Sequence, residues 1–156
     1  MNKNDLANAY LAGFIDGEGN IGIDKYNRYN KPYDNYGIKV AISNTNLVIL
    51  ERIKSQFGGY IFTLKQKKPS HQICFQLTVR HRKAYNLLGF VCHHLIIKKE
   101  LAKVAMRMAK RIDEDRYDHK KPKSIARQVK ETKDYELWKS LMNNKSSRLT
   151  TVGRYR

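Results

Sequence analysis

The residues best suited to chemistry are the acids of one short stretch, residues 11–19, which read LAGFIDGEG. Good helix formers precede this stretch, so the pattern predicts a helix from about residue 5 to about residue 15. Gly17 and Gly19 then release the chain from the helix, which leaves the carboxylate of Glu18 open to solvent, a metal ion or a substrate. An exposed acid at the end of a helix is the simpler interpretation, and it stays open at this point.

Small residues recur at four-residue spacing along this helix, at Ala9, Gly13 and Gly17. Residues four apart lie on one face of a helix, and minimal side chains there let a second helix backbone approach closely. A glycine inside a helix costs about 1 kcal/mol relative to alanine, so Gly13 needs a compensating contact. We therefore expect this face to meet another helix.

The nonapeptide resembles the signature of the LAGLIDADG homing endonucleases, which it matches at Leu11-Ala12-Gly13, at Asp16-Gly17 and at Glu18-Gly19. In that family the penultimate acid and the neighbouring backbone carbonyl bind the metal, so the resemblance assigns Mg²⁺ to Glu18 and Gly17. Glutamate replaces the commoner aspartate here, and glutamate also binds magnesium. The resemblance assigns Asp16 to capping and orienting the helix interface.

The same resemblance implies a homodimer, because family members with one motif pair with a second copy and this sequence holds one motif. The dimer interface would include Ala9, Gly13, Asp16 and Gly17. Pairing would bring two Glu18 side chains together at a two-fold axis, where they share metals and two scissile phosphates.

Two further catalytic residues follow from the resemblance. Lys98, after an apolar lead-in, matches the family's active-site lysine at the start of a helix, and Lys99 is the one-residue alternative. Asn44, at the end of the second predicted strand, takes the place of an amide side chain that orients water. Thr45 or Asn46 can cap the next helix, and the cap is the easier explanation of Asn46.

The resemblance thus implies a site-specific double-strand DNA endonuclease that hydrolyses phosphodiester bonds with Mg²⁺ at a long, near-palindromic target and is encoded in an intron. A non-catalytic binder of the same fold, such as an RNA maturase or a repressor, is the first alternative. Retention of Glu18 argues against it, because a pure binder gains nothing from placing an acid against phosphates. A basic RNA-binding or ribosome-associated protein, with hairpin tyrosines for stacking, is the second alternative.

The charge of the chain points to nucleic acid as the partner. The 156 residues carry a formal net charge of +17, and residues 61–156 supply +16 of it. Such a charge suits the neutralisation of phosphates and is too high for an ordinary enzyme of neutral metabolites. The sequence has no run of 18 apolar residues, so we expect an intracellular protein without a membrane partner, in a prokaryotic cytoplasm or an organelle.

The two cysteines, Cys74 and Cys92, are too few for a disulfide framework and fit a reducing compartment. A zinc site that adds His71 and His93 is conceivable, but the spacing is not that of a paired knuckle.

Alternating apolar and polar residues predict two β-hairpins. The first pairs residues 20–25 with a strand around residues 38–43, and the second begins at Tyr60 and returns through a buried Ile73 to Val79. Helices are predicted at residues 47–57, 82–95, 98–112 and, as one or two helices, 124–143.

This order predicts an α+β fold in a single domain over residues 1–156. The resemblance covers about residues 5–112 and implies an antiparallel, saddle-shaped sheet with helices packed on one face, in an ααββαββα arrangement. Residues 113–156 would add helices and a basic tail.

Outward positions of the two hairpins are candidates for base reading, because a two-stranded ribbon fits the major groove and presents every second side chain. Ile21 and Ile23 point inward, so the residues that alternate with them along the strand point outward. The lysines at the tip of the second hairpin are assigned to phosphate. An ordinary solvated strand is the alternative for each outward residue. The DNA-binding set is Asn20, Asp24, Tyr26, Arg28, Lys39, Ser43, Tyr60, Phe62, Lys65, Lys67, Lys68, Gln76 and Thr78.

Overall fold

A computed structural model describes the chain over residues 3–27, 33–66, 72–114 and 123–151. In chain order the elements are α1 (Lys3–Glu18), β1 (Gly19–Asn27), β2 (Asp34–Asn44), α2 (Leu47–Phe57), β3 (Tyr60–Thr63), β4 (Phe75–Arg80), α3 (His81–Val91), α4 (Lys99–Glu114) and α5 (Ile125–Thr151). The predicted α+β class is confirmed. In the described residues one helix precedes the first hairpin, where the ααββαββα arrangement has two, and three follow the second hairpin.

The four strands form one open antiparallel sheet in the order β1-β2-β4-β3. Ile21 of β1 pairs with Val40 of β2, which pairs with Val79 of β4, and all three side chains are buried. Successive side chains of a strand point to opposite faces, so this row defines the inner face of the sheet. The helices pack there, because the same core contains Leu11 of α1 and Leu87 of α3.

Helix α1 extends further than the sequence suggests. It continues past residue 15 to Glu18, so Gly17 lies inside the helix rather than in an exit turn. Gly19 then begins β1 directly. A Cβ on Gly19 would lie 2.7 Å from the carbonyl oxygen of Ile15, so only glycine fits this abrupt change from helix to strand.

Helix α2 has the predicted boundaries. Oδ1 of Asn46 accepts a hydrogen bond from the amide of Val48 at 3.0 Å, which confirms the N-terminal cap. Gly58 ends the helix with a positive φ of 74°, a conformation that favours glycine.

Two predicted boundaries are wrong. Strand β4 begins only at Phe75, so Ile73, which alternation placed in the core, lies before the strand and is 52% exposed. Helix α3 stops at Val91, and the chain turns before α4 starts at Lys99.

The C-terminal region forms the single long helix α5, anchored by two buried acids. Glu131 is fully buried and pairs with Lys123 and Arg127, each at 2.7 Å. Asp134, also buried, pairs with Arg107 of α4 at 2.7 Å. No helix in the described part of the chain combines the length and apolar character needed to cross a membrane.

Candidate functional site

The carboxylate of Asp16, near the end of α1, closes the turn that leads into α4. Oδ2 accepts hydrogen bonds from the amides of Ile96 (2.7 Å) and Ile97 (3.1 Å), and Oδ1 accepts one from the amide of Lys98 (2.9 Å). Burial alone would raise the pKa of Asp16, but the three amide hydrogen bonds and the charge of Lys98 lower that pKa below its ordinary value of 3.8. Asp16 is therefore a charged clamp on the turn before α4.

The side chain of Lys98 in turn bonds back to the end of α1. Its Nζ donates to the carbonyl oxygens of Ile15 (2.8 Å) and Asp16 (2.5 Å), at the helix end where the dipole favours a cation. Lys99 donates instead to the carbonyl oxygen of His93 at 3.2 Å. Of the two lysines weighed from the sequence, Lys98 is the one whose ammonium lies at the end of α1.

The last residue of α1, Glu18, is exposed to solvent. The next residue, Gly19, pairs with Ile42 of β2, and Asn44 follows two residues later on the same strand. The register therefore brings the end of β2 to the end of α1, where the Lys98 ammonium also lies. All three predicted catalytic residues belong to this one end of the sheet.

Asn44 makes a local contact at this end. Its Oδ1 accepts a hydrogen bond from the amide of Asn46 at 2.8 Å, which holds that oxygen in the turn before α2. The two asparagines thus have different partners: Asn44 bonds the amide of Asn46, and Asn46 caps α2.

The donors at this end suit a hard cation with few protein ligands. Among the described residues, no group of three or more His, Cys, Asp or Glu side chains is arranged to hold a metal ion. The oxygen donors at the end of α1 are the Glu18 carboxylate and the Gly17 carbonyl. Magnesium is commonly held by one or two carboxylates, water and substrate phosphates, so this donor set fits Mg²⁺.

A zinc site gains no support. Zinc sites use three or four clustered nitrogen and sulfur ligands. Cys74 and Cys92 are free, half-buried thiols and do not belong to such a cluster in the described residues. His71 lies outside the described residues.

One face of α1 is exposed although it is apolar or bare. Leu6 and Tyr10 are 62% and 64% exposed, and Gly13 and Gly17 continue the same face at helical spacing. We call these four residues the α1 stripe. A Cβ on either glycine would meet no atom of the described chain within 4 Å, so the packing of this part of the chain does not require glycine at either position.

The predicted dimer interface differs from this stripe at two positions. Ala9 is half-buried, and the Asp16 carboxylate is bonded within its own chain, so neither is an open part of the helix face. Two further exposed apolar residues were not among the sequence candidates. Ile96 and Ile97, in the turn clamped by Asp16, are 87% and 63% exposed.

The outer face of the sheet holds those predicted DNA-binding side chains that lie on its strands. Registers place the outward positions of β1, β2, β4 and β3 in common rows, as parity predicted. Arg28, Lys67 and Lys68 lie outside the described residues. Exposed members are Asn20, Tyr26, Tyr60, Phe62 and Lys65, and partly buried members are Asp24, Lys39, Ser43 and Gln76.

Thr78 departs from this expectation. It lies on the central strand β4 between Ala41 and Tyr60 in the same row and is only 8% exposed. Neighbours on both sides of a central strand cover a short side chain, so the expected exposure of Thr78 is wrong.

The polar side chains of this face bind one another. Nζ of Lys39 and a guanidinium nitrogen of Arg80 lie 2.5 and 2.9 Å from the Asp24 carboxylate, and Gln76 donates to Ser43 at 2.9 Å. Arg80 was not among the sequence candidates. Continuing the even-numbered parity of β4 by one more position would have found it.

Comparison with known proteins agrees with this architecture. The family model described as LAGLIDADG endonuclease matches residues 11–102, more than half of the chain. No protein with curated annotation matches the sequence.

Similar folds occur among solved homing endonucleases. The archaeal intron-encoded I-Vdi141I, complexed with DNA, gives a TM-score of 0.69 at 20% identity over 89% of this chain and 86% of that chain. I-CvuI, complexed with the I-CreI target in 2 mM Mg, gives 0.67 at 17% identity over 98% and 87%. A double mutant of I-SmaMI gives 0.62 at 15% identity over 90% of this chain and 46% of that chain.

The TM-scores of 0.62 to 0.69 establish a shared fold. The segment matched by the family model contains the α1 motif, the whole sheet and the Asp16–Lys98 contact. The chain therefore belongs to the LAGLIDADG endonuclease family.

Proposed function

We propose that this protein is a homodimeric, Mg²⁺-dependent endonuclease that cuts both strands of DNA at a long, near-palindromic site. The observation that carries the proposal is the exposed Glu18 carboxylate at the end of α1, where the Lys98 ammonium lies 2.8 Å from the carbonyl oxygen of Ile15. I-Vdi141I and I-CvuI, which share this fold, are solved in complex with DNA, and this supports duplex DNA as the substrate.

Phosphodiester hydrolysis needs an activated water, neutralisation of charge at phosphorus and help for the departing oxygen. Bound Mg²⁺ supplies Lewis acidity for these steps. In this proposal the Glu18 carboxylate and the Gly17 carbonyl hold the ion together with phosphate oxygens of the DNA. The Lys98 ammonium, fixed on α1, stabilises the negative charge that develops at phosphorus or orients the attacking water. Asn44, at the end of β2, orients water in this proposal.

A dimer explains three features of a single chain. One exposed carboxylate is thin support for two strand cuts, whereas two chains related by a two-fold axis supply two. Pairing of the α1 stripes, extended by Ile96 and Ile97, buries apolar side chains that are 87% and 63% exposed in one chain. It also gives Gly13 the close helix contact that offsets its cost in a helix.

The outer sheet face and the net charge of +17 suit a duplex in front of the sheet. Outward polar side chains such as Asn20 and Gln76 present hydrogen-bonding groups to base edges, and Lys65 at the hairpin tip contacts phosphate. Two-fold symmetry then assigns one half-site to each subunit.

The test is cleavage of a randomised duplex library with Mg²⁺, followed by sequencing of the new ends. Glu18→Gln keeps the size of the side chain and removes its charge. Glu51→Gln, at an exposed position of α2, is the matched control for loss of one carboxylate. We expect recurrent, near-palindromic breaks from the wild type and from Glu51→Gln, and none from Glu18→Gln.

Sequence-selective enrichment without breaks in any of the three proteins would overturn the catalytic proposal and favour a binder of the maturase or repressor kind. Stronger binding to single-stranded RNA than to duplex DNA would overturn the choice of substrate. Circular dichroism of each variant shows whether a lost activity comes from the site or from unfolding.

A further inference from the structure

An acid on the outer face of the sheet binds two cations from two other strands. Oδ1 of Asp24, on β1, lies 2.5 Å from Nζ of Lys39 on β2, and Oδ2 lies 2.9 Å from a guanidinium nitrogen of Arg80 on β4. Lys39 and Arg80 are also direct register partners. We call these three residues the Asp24 triad, which spans three adjacent strands and is partly exposed, with side-chain exposures of 30%, 31% and 49% for Asp24, Lys39 and Arg80.

A glycine makes room for the triad. Gly22 pairs with Lys39, and a Cβ on Gly22 would lie 3.0 Å from Cε and 3.2 Å from Cγ of that lysine, so the lysine stem lies across the bare backbone of β1. The cation of Lys39 is therefore laid along the sheet toward Asp24 instead of projecting from it.

We propose that Asp24 is a specificity-determining residue, which holds Lys39 and Arg80 in fixed positions on the DNA-facing sheet and withholds their charges from non-specific phosphate contacts. This inference rests on the proposed function. Each cation that binds phosphate adds affinity for every sequence, so a free lysine and a free arginine raise binding to wrong sites as much as to right ones. Selectivity is a difference between two affinities, and it improves when binding to wrong sites is weakened.

Pairing also fixes geometry. A guanidinium held by a carboxylate presents its remaining N–H groups in one direction, which suits the hydrogen-bonding edge of guanine better than a freely rotating side chain does. The triad keeps a net charge of +1, so the acid does not repel the duplex once both cations are in place.

Direct reading of a base by Asp24 is the competing explanation, because a carboxylate can accept a hydrogen bond from cytosine. The two explanations predict opposite effects on binding to random DNA. If Asp24 holds the two cations, its removal strengthens binding to random DNA. If Asp24 reads a base, its removal leaves binding to random DNA unchanged and weakens only binding to the cognate site.

The test uses fluorescence anisotropy with a random-sequence duplex, without divalent metal, over about 50 to 400 mM NaCl, a range in which phosphate contacts are strongly salt-dependent. Asp24→Asn is compared with the wild type and with Glu51→Gln, which changes the net charge equally on a helix behind the sheet. The triple variant Asp24→Asn, Lys39→Met, Arg80→Met removes the released cations.

We expect Asp24→Asn to bind the random duplex roughly tenfold more tightly at low salt, with a slope of log Kd against log salt steeper by about 1 to 2. The triple variant should lose that gain, and Glu51→Gln should stay within about twofold of the wild type. Selectivity for the target found by library cleavage should fall in Asp24→Asn.

The proposed role of Asp24 is overturned if Asp24→Asn has the salt slope and random-duplex affinity of the wild type, or if it binds the random duplex more weakly. Equal gains in Asp24→Asn and Glu51→Gln also overturn it, because net charge alone then explains the effect. Failure of the wild type itself to bind duplex DNA is a separate result that rejects the proposed function.

Discussion

The indole Nε1 of Trp138 donates a hydrogen bond of 3.0 Å to the backbone carbonyl of Ile21, and this joins α5 to the edge strand β1. Unpaired backbone groups along an edge strand attract other strands, and a covering helix is one of the ways proteins protect them. The ring of Tyr135 packs 5.4 Å from that of Tyr36 at the same junction. Helix α5 therefore packs against the core, although it lies beyond the matched family segment.

Trp138→Phe keeps an aromatic ring and removes the hydrogen bond to β1. We expect it to lower the free energy of unfolding by about 1 kcal/mol, the usual contribution of one such bond. Urea unfolding followed by circular dichroism measures the change. Trp138 is the single tryptophan of the sequence, so its fluorescence in the wild type reports docking of α5. A fluorescence transition well before the circular dichroism transition would contradict the view that α5 unfolds with the sheet.

Glu131→Gln removes the charge that Lys123 and Arg127 share in the interior. Breaking a buried pair leaves uncompensated charge, so we expect a loss of about 3 to 5 kcal/mol of unfolding free energy. Glu136→Gln on the same helix is the control, because its side chain is 58% exposed and lies 3.8 Å from Lys139. Similar midpoints for the two variants would show that the buried pairs contribute little.

Asp16→Asn tests the clamp between α1 and the turn before α4. The folded-state pKa of Asp16 lies below 3.8, so its charge stabilises the fold above that pH and the contribution disappears as the pH falls through the folded pKa. We expect the variant to be less stable than the wild type at neutral pH and the gap to close in acid. Urea midpoints measured from about pH 7 to about pH 2 follow it. If the difference in midpoint between Asp16→Asn and the wild type does not change with pH, the loss of stability does not come from the charge of Asp16.

Gly13→Ala separates folding from assembly. A Cβ on Gly13 meets no described atom of its own chain within 4 Å, so alanine should stabilise α1 in the single chain by up to about 1 kcal/mol. In a close helix pair the same methyl group separates the backbones. We therefore expect the dissociation constant of the dimer, measured at the same salt concentration, to rise about tenfold, a difference of about 1.4 kcal/mol.

Gly89→Ala provides the control, because Gly89 is also exposed, helical and open to a Cβ. Sedimentation equilibrium of both variants should show weakened association for Gly13→Ala alone. Association equal to the wild type in Gly13→Ala would exclude the α1 stripe as the contact between subunits.

Lys98→Met and Lys99→Met form a matched pair. Only Lys98 places its ammonium on the end of α1, so we expect Lys98→Met to slow single-turnover cleavage by about 100-fold and Lys99→Met to slow it less than about threefold. Binding of the target without metal should change little in either. A larger loss of cleavage rate in Lys99→Met than in Lys98→Met would assign the catalytic role to Lys99.

Local pattern predicted the sheet well, because alternation in β1 and β2 fixes which side chains share a face. The inward Ile21 and Val40 and the outward Asn20 and Ala41 pair as parity required. Cap chemistry likewise predicted the start of α2 at Asn46, since an asparagine oxygen bonds an amide only two residues away.

Contacts between distant segments could not be read in this way. The amides bound by Asp16 lie 80 to 82 residues along the chain, and no spacing rule connects them. The extent of α1 was underestimated because Gly17 resembles a helix stop, although a glycine with ordinary helical φ continues the helix. Ile73 was misplaced because an alternating pattern does not show where pairing begins.

Under the proposed function, the mutual contact of Asp16 and Lys98 makes the position of the catalytic lysine independent of the residues that read the target. Each residue fixes the segment that carries the other, through backbone groups that every sequence has, and neither contact uses a side chain of the sheet. Substitutions on the outer face can therefore accumulate one at a time without moving the end of α1 relative to α4. Under the proposed function, the DNA site of such a protein can therefore change by substitutions on the sheet while the Asp16–Lys98 contact stays intact, and a laboratory can retarget it by the same route.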